Sequence, residues 1–248
     1  MRTLFVKEVR RFMRVPGQTV LSPLVSTSLY FLVFGFSLGG RGQEVEGMAY
    51  THFIVPGLVF LGTANNAFLN SSSSLFQVKL QGTIVDLLVA PLGPLEIMAG
   101  FIGGAMVRGL AVGLLTWAVA ILFTGFQLRA PLMTLTLMLL IPYTFSMLGL
   151  LAGVWAQKFE EINLFPTFVM LPLTFLGGVF YSVRDLPQPW HTVSLFNPIV
   201  YMVDGLRYGM LGQSVLSPLW SLALLIPVAA VATGLAYLAL KRGYRLRQ

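Results

Sequence analysis

Residues 130–157 read APLMTLTLMLLIPYTFSMLGLLAGVWAQ, and this stretch contains no charged side chain. An α-helix needs about 20 predominantly apolar residues to cross roughly 30 Å of hydrocarbon at 1.5 Å per residue. A transmembrane strand would need only about half that length. The stretch therefore predicts a membrane-spanning helix, and the same test applies to the rest of the chain.

The composition indicates a bilayer environment for the whole chain. Hydrophobic residues make up 56% of the 248 residues, charged residues make up 10%, and the mean hydropathy is +0.80. Soluble domains carry about 25% charged residues, so an ordinary soluble domain is excluded. The chain has no cysteine and only two histidines, His52 and His191, so it offers neither disulfides nor thiolate ligands and we predict no metal site.

Six uncharged windows reach the length of a membrane span when the sequence is cut at its charges. The last window is too long for one helix, so we place its helix after Ser217 and Pro218. The predicted fold class is an all-α integral membrane protein with six transmembrane helices inside residues 17–242. The predicted spans cover about residues 18–40, 53–75, 97–124, 131–156, 163–183 and 219–240.

Both ends of the chain are basic. Residues 1–16 predict an amphipathic helix in the headgroup plane, because apolar and cationic residues fall on opposite sides of a helical wheel. Pro16 and Gly17 end this helix, and residues 243–248 form a basic cytoplasmic tail. The apolar side holds Phe5, Val9, Phe12 and Met13, and the cationic side holds Lys7, Arg10, Arg11 and Arg14.

The distribution of lysine and arginine predicts the orientation in the membrane. Basic connections stay on the cytoplasmic side, so two basic termini and an even number of spans place both ends in the cytoplasm. The net charge of +7 is then explained by topology and by contact with anionic membrane lipids. We expect no nucleic-acid partner.

The second predicted span carries a stripe of polar side chains along one helix face. Unpaired polar groups are costly in hydrocarbon, so the stripe should face other helices or water. Two interpretations stay open, namely hydrogen bonds between helices and the lining of a translocation path. The stripe consists of Thr63, Asn66, Asn70, Ser73, Ser74 and Gln77. The candidate path residues are Asn66, Asn70, Ser73, Ser74 and, from the fifth predicted span, Phe175.

The third predicted span contains a single arginine, Arg108. An arginine deep in the bilayer costs about 3 kcal/mol on insertion scales, so it is expected to find a partner. We expect a structural pairing with Glu96 or Asp86, and contact with a substrate is the alternative.

The connection between the second and third predicted spans has a pattern of its own. Residues 77–91 read QVKLQGTIVDLLVAP and predict a short amphipathic helix that Pro91 and Pro94 end. A merely solvated loop would not need so many apolar side chains. We therefore expect the bilayer interface or a partner protein to cover them.

A second such segment lies between the fifth and sixth predicted spans. Residues 186–190 (LPQPW) and 197–201 (NPIVY) are turn signals that bracket short helices. Apolar segments too short to cross the bilayer are typical of re-entrant or interfacial helices. We expect re-entrant helices on the outer side of the membrane here.

Four motifs carry a family resemblance. They are FLGGVFYS at 175–182, LP at 186–187, NPIVYMVDGLRYG at 197–209 and LLVAPLGPLE at 87–96. With these motifs the sequence resembles the ABC-2 type permeases of bacterial ABC exporters, from about Lys7 to Arg242. The resemblance implies two permease copies, as a homodimer in the bacterial inner membrane, working with two copies of a separate ATPase that binds ATP and Mg²⁺.

The resemblance also implies two functional segments. One is a coupling helix in the first cytoplasmic connection that docks on the ATPase, and the other is an outer re-entrant motif. The implied coupling residues are Thr83, Ile84, Asp86, Leu87, Leu88, Pro91 and Glu96. The implied motif residues are Gly177, Gly178, Tyr181, Pro187, Asn197, Pro198 and Arg207.

The energy source should lie in another chain, because the sequence has no G-x-x-x-x-G-K-[ST] loop to hold a nucleotide. The family resemblance implies an export permease, and we expect it to alternate between inward-open and outward-open states and to have no enzymatic activity of its own. An intramembrane serine hydrolase is disfavoured, because no G-x-S-x-G occurs and both histidines are predicted on the side opposite the serine run 71–74. The alternative is an ATP-independent carrier or channel, although its coupling carboxylates would normally lie inside spans. The substrate stays open among lipids, drugs and saccharides.

Overall fold

The computed structural model describes residues 2–15, 17–35, 44–243 and 245, which are α-helical apart from turns, connections and one short hairpin. The helices are α1 (Arg2–Met13), α2 (Ser22–Tyr30), α3 (Tyr50–Leu80), α4 (Ile84–Val89), α5 (Pro94–Thr124), α6 (Pro131–Trp155), α7 (Phe159–Ile162), α8 (Leu171–Phe175), α9 (Trp190–Leu195), α10 (Pro198–Leu211) and α11 (Pro218–Lys241). Strands β1 (Glu44–Val45) and β2 (Met48–Ala49) pair antiparallel. π-helical turns lie at Gly17–Leu21, Phe31–Gly35 and Pro166–Met170, and a 3₁₀ turn lies at Val183–Asp185.

Four helices of the described residues are long and apolar enough to cross a membrane, namely α3, α5, α6 and α11. Three of them begin with a proline, at Pro94, Pro131 and Pro218. Proline is favoured there because the first N–H groups of a helix have no partner within it. These four helices carry the predicted spans at 53–75, 97–124, 131–156 and 219–240.

The long helices share two common ends. At one end, a ring nitrogen of His52 near the start of α3 lies 3.0 Å from the carbonyl oxygen of Thr124 at the end of α5. At the other end, Lys79 near the end of α3 donates from Nζ to Val154 O at 2.7 Å and Ala156 O at 2.8 Å, capping α6. We call the end with Lys79 the α4 end and the end with His52 the hairpin end.

For the remaining two predicted spans, the structure describes helical turns over part of the predicted length. The span predicted at 18–40 is helical over residues 17–35, and residues 36–40 lie outside the described part. Within the span predicted at 163–183, helical turns cover residues 164–175, and turns and bends follow. Gly178 has a φ of +67°, a conformation that ends regular helix and that glycine adopts without a steric penalty.

Helix α3 lies at the centre of the bundle, where α5 and α6 pack closely against it through small residues. A Cβ atom on Gly109 of α5 would lie 2.9 Å from the carbonyl oxygen of Thr63 in α3. A Cβ atom on Gly153 of α6 would lie 2.8 Å from the carbonyl oxygen of Ser72. Close approach through glycine replaces the hydrophobic driving force that helices lack inside lipid.

Helix α1 packs on α5, and its packed face agrees with the predicted apolar side at Phe12, which is buried, and at Phe5 and Val9, which are half-buried. The buried residues are Leu4, Glu8 and Phe12, whereas Met13 of the predicted apolar side is 64% exposed. Glycines of α5 allow α1 to approach this closely. A Cβ atom on Gly100 would lie only 3.1 Å from Leu4 Cβ, which is tighter than an ordinary contact. The helix ends at Met13, and Met1 and Pro16 of the predicted segment 1–16 lie outside the described residues.

The carboxyl end of the chain is described only in part. Within the predicted tail 243–248, the structure describes Gly243 and Arg245. Arg245 Nη1 donates to the carbonyl oxygen of Trp155 at 3.0 Å, at the α4 end. The remaining tail residues lie outside the described part.

Candidate functional site

The polar stripe of α3 meets α1 in a buried polar cluster. Glu8 of α1 is 1% exposed, and its Oε2 atom accepts a hydrogen bond of 2.5 Å from Ser74 Oγ. The same oxygen lies 3.3 Å from Nε of Arg11 in an ion pair. Arg11 Nη2 also donates to Asn70 O at 3.0 Å and to Asn70 Oδ1 at 2.9 Å. Asn70 and Ser74 therefore bond across helices, as one interpretation of the stripe expected.

The sequence analysis missed Glu8 and assigned Arg11 to the solvated side of α1. The spacing of Leu4, Glu8 and Phe12 is the signal that could have found the buried face, because residues four apart lie on one side of a helix. Arg11 lies three residues after Glu8, which is the other spacing at which helical side chains meet.

Arg108 has a different partner from the predicted one. Its Nη1 atom lies 3.4 Å from Asn70 Oδ1, and its Nε atom has no hydrogen-bond partner among the described residues. The two ion pairs within the described part join Arg11 to Glu8 and Arg207 to Asp204. The predicted pairing of Arg108 with Glu96 or Asp86 is therefore wrong.

A cavity of about 400 Å³ lies beside this cluster. Its wall includes Arg108 and Thr116 from α5, Asn66 from α3 and Ser26 from α2. Apolar side chains from α2, α3, α5 and α8 also line it. The cavity therefore combines a charged group, polar groups and apolar surface.

The predicted path residues do not share one environment. Asn66 lines the cavity and donates from Nδ2 to Gly62 O at 3.0 Å. Ser73 donates to Leu69 O of its own helix at 2.6 Å. Phe175 is 55% exposed, and its ring centroid lies 6.3 Å from that of Phe180. Asn70 and Ser74 form hydrogen bonds with Arg11 and Glu8 of α1. Of the five predicted path residues, only Asn66 lies on the wall of this cavity.

The predicted coupling segment contains a six-residue helix, α4. Ile84 is 5% exposed and holds α4 against the bundle, whereas Val85 is 57% exposed and Val89 is 80% exposed. Thr83, Asp86 and Pro91 are exposed and Leu87 is half-buried, while Leu88 belongs to α4 but its side chain lies outside the described part.

Two hydrogen bonds fix the ends of the α4 segment. Thr83 Oγ1 donates to Val78 O at 3.3 Å, next to Gly82 with a φ of +71°. Glu96 Oε2 accepts from the backbone N–H of Gly93 at 2.9 Å. A carboxylate in the first turn of α5 satisfies an amide that the helix itself leaves free. The segment is therefore an ordered surface with apolar side chains outward.

The predicted outer motif forms a buried cluster of hydrogen bonds and one ion pair at the hairpin end. Arg207 is 3% exposed, its Nη2 atom donates to Gly178 O at 2.8 Å, and its guanidinium carbon lies 3.9 Å from the ring centroid of Phe53. Asp204 forms a buried ion pair with Arg207 at 3.7 Å. Asp204 Oδ1 also accepts from the amide of Val215 at 2.8 Å.

Other motif residues tie the turn after α8 to α10. Asn197 Nδ2 donates to Leu173 O at 2.5 Å, and its Oδ1 atom caps α10 by accepting from Ile199 N at 2.9 Å. Pro198 occupies the first position of α10. A Cβ atom on Gly177 would lie 2.7 Å from Ile199 Cγ2, so this site needs glycine.

Two motif residues take no part in the contacts between the turn after α8 and α10. Tyr181 donates from its hydroxyl group to Phe175 O at 2.6 Å. Pro187 is exposed, and its carbonyl oxygen accepts from His191 N at 3.3 Å. The motif residues therefore mainly pack and hydrogen-bond the segments of the hairpin end together. The sequence analysis did not single out Asp204, the buried anion of the motif.

The described residues contain no group of three or more histidines and carboxylates that could hold a metal ion. Several buried side-chain oxygens have no hydrogen-bond partner among the described residues, namely Ser71 Oγ, Ser146 Oγ and Ser194 Oγ.

Comparison with known proteins identifies the family. The sequence profile of the ABC-2 type transporter family matches residues 1–211. The chain is 45% identical over 212 residues to the inner membrane transport permease YadH of Escherichia coli (strain K12), covering 86% of this chain and 83% of that protein. It is 24% identical over 198 residues to nodulation protein J of Rhizobium leguminosarum bv. viciae, covering 79% of this chain and 76% of that protein.

Four membrane-length helices, a profile match over most of the chain and a close relative named as a transport permease agree with one another. This chain belongs to the ABC-2 type transporter family, as a multi-pass membrane permease and not an enzyme.

Proposed function

We propose that the chain is the membrane-spanning permease subunit of an ATP-driven exporter in a bacterial inner membrane. A separate ATPase would bind ATP and Mg²⁺ and dock at the α4 end. Family membership is the observation that carries this proposal. The sequence lacks a nucleotide-binding loop, so the energy for alternating access would come from the partner.

The surface at the α4 end supports a docked protein partner. Leu80 is 71% exposed, and with Val85 and Val89 it presents an apolar surface next to the exposed carboxylate of Asp86. A cleft of about 340 Å³ lies beside this surface, between Lys7 of α1 and Leu87 of α4. Apolar side chains around a cleft, with charges at the rim, are the composition of a protein interface.

The proposed architecture has six spans with both termini in the cytoplasm. The helical segment 17–35 would supply the first span, and residues 164–183, which are helical up to Phe175, would supply the fifth. Helices α9 and α10 would be the outer re-entrant helices. The α4 end carries the cations of α1 together with Lys79, Lys158 and Lys241. Basic residues favour the cytoplasmic side, which supports this orientation. The working unit would be a homodimer of permeases in contact with membrane lipids, bound to two ATPases.

An ATP-independent carrier or channel is the second candidate. An ion-coupled carrier would normally place carboxylates inside its spans to carry the coupling ion. The two buried carboxylates of the described residues, Glu8 and Asp204, are held by Arg11 and Arg207. Because both carboxylates form ion pairs with arginines, they are poorly suited to exchange a coupling ion. This favours the ATP-driven permease over the carrier.

The test is co-expression with an ABC ATPase from the same genome, followed by purification through a tag on the permease. We expect the ATPase to co-purify, and we expect Val85→Glu or Asp86→Lys to lower its recovery at least tenfold while the permease still inserts. Burying an unpaired charge in an interface is the physical reason. The matched control is Val193→Glu in α9, a second six-residue helix at the hairpin end. Full ATPase recovery with Val85→Glu would show that α4 is not the docking surface.

A further inference from the structure

Arg108 is a half-buried cation whose charge the described residues do not neutralise. Its polar contact is the 3.4 Å approach of Nη1 to Asn70 Oδ1, an oxygen that Arg11 already occupies at 2.9 Å. The nearby carboxylate, Glu8, is taken by Arg11 and by Ser74. Two guanidinium groups and one carboxylate meet here, so the cluster keeps one positive charge.

The depth of Arg108 follows from the contact between α1 and α5. If the exposed cations of α1 mark the headgroup level, that level meets α5 near Gly104, whose Cβ would lie against Glu8 Cβ. From Gly104 to Thr124, α5 is about 30 Å long, which equals the thickness of the hydrocarbon. Arg108 then lies one helical turn, or roughly 6 Å, inside the hydrocarbon from the α4 side.

The cavity next to Arg108 has two kinds of wall. Ser26, Asn65 and Tyr30 bring hydroxyl and amide groups to it, while Leu58 and Leu171 line it with apolar surface. A guanidinium with hydroxyl and amide donors is suited to a phosphate, sulfate or carboxylate oxygen. The leucines are suited to an alkyl chain. The volume of about 400 Å³ lies within the range of small-molecule sites.

We propose that this cavity binds the anionic head group of an amphipathic substrate that enters from the leaflet on the α4 side, and that Arg108 is its charge-recognising residue. This inference rests on the proposed function, and it narrows the open choice among drugs, saccharides and lipids to molecules with an anionic group attached to an apolar body. A purely structural arginine at this depth would be expected to bond with a carboxylate or with several carbonyl oxygens.

The experiment measures binding of radiolabelled dodecyl phosphate to the permease with its ATPase in phosphatidylcholine nanodiscs. Dodecylphosphocholine serves as the probe with the same chain and a neutral head group. We expect saturable binding of dodecyl phosphate, at least tenfold tighter than that of dodecylphosphocholine. Arg108→Gln should lower this affinity about tenfold, whereas Arg108→Lys should stay within a few-fold of wild type, because a point charge is kept.

Two further variants separate the cavity from general attraction to a basic surface. Arg10→Gln removes one exposed cation of α1 that does not line the cavity, and it should leave the affinity unchanged. Ser26→Phe keeps all charges but narrows the cavity, and it should weaken binding of both probes. Equal losses in Arg108→Gln and Arg10→Gln, or wild-type binding in Arg108→Gln, would overturn the proposal.

Addition of ATP and Mg²⁺ distinguishes a substrate from a resident lipid. A transported head group should leave the site during turnover, so bound dodecyl phosphate should fall. Retention of the probe during hydrolysis would overturn the assignment as a substrate site. Failure of the proposed function would be visible separately as loss of ATPase co-purification, since probe binding can be measured on the permease alone.

Discussion

Glu8 should hold α1 in its docked position, and Glu8→Ala should release it. The variant removes a buried carboxylate that bonds to Arg11 at 3.3 Å and to Ser74 at 2.5 Å. Breaking one partner of a buried ion pair costs about 3–5 kcal/mol. Arg11 keeps its bonds to Asn70 and its side chain is 26% exposed, so we expect the lower end, about 3 kcal/mol. That value shifts the ratio of docked to undocked α1 by roughly a hundredfold.

The absence of cysteine in this chain makes docking measurable by a disulfide. A Cβ on Gly100 would lie 3.1 Å from Leu4 Cβ, close to the roughly 3.5–4.5 Å found between Cβ atoms in disulfides. The double variant Leu4→Cys with Gly100→Cys should therefore cross-link quickly under mild oxidation. Adding Glu8→Ala should slow this reaction at least tenfold, whereas adding Glu160→Ala, which removes an exposed carboxylate, should not. Cross-linking at an unchanged rate with Glu8→Ala would refute the reasoning.

Two further expectations concern stability and are measured as the midpoint of thermal unfolding in detergent. Asp204→Ala leaves Arg207 buried without its anion, so we expect the free energy of unfolding to fall by about 3–5 kcal/mol and the midpoint to be clearly lower. An unchanged midpoint would show that the Asp204–Arg207 ion pair does not stabilise the protein. Gly149→Ala places a Cβ against the carbonyl oxygen of Phe68 and should also lower the midpoint, whereas Gly234→Ala meets nothing within 4 Å and should not. Equal midpoints for the two alanine variants would contradict the proposed close packing of α3 and α6.

The long spans could be predicted because residues close to each boundary in the sequence determine where the helix begins and ends. Charges and prolines delimit uncharged windows, and Pro94, Pro131 and Pro218 occupy the first positions of α5, α6 and α11. Hydrophobicity over about 20 residues dominates the energy of insertion. Such signals need no knowledge of tertiary structure.

The fifth predicted span shows that a count of uncharged residues does not determine where a helix ends. Residues 163–183 contain no charge, yet the helical turns end at Phe175. Gly177 packs against Ile199, and Gly178 adopts a left-handed conformation. The glycine pair was visible in the sequence, but its partner in α10 becomes evident only when the chain folds back.

The candidate site was predictable in part for the same reason. The amphipathic pattern of residues 83–89 gave the existence of α4 and its apolar surface. The pairing of Arg11 with Asn70 joins residues 59 positions apart, and no local pattern encodes such a contact. Arg108 was recognised as unusual from its position in a span, whereas its neighbours in the cavity depend on the packing of α2, α3 and α5.

The central claim is that this chain is a permease driven by a separate ATPase. The most direct measurement is ATP hydrolysis in proteoliposomes that contain the purified permease, the ATPase that co-purifies with it, or both. We expect no hydrolysis by the permease alone and stimulated hydrolysis by the pair, with stimulation lost in Val85→Glu. Hydrolysis by the purified permease alone, or an ATPase whose rate the permease does not alter, would contradict the account.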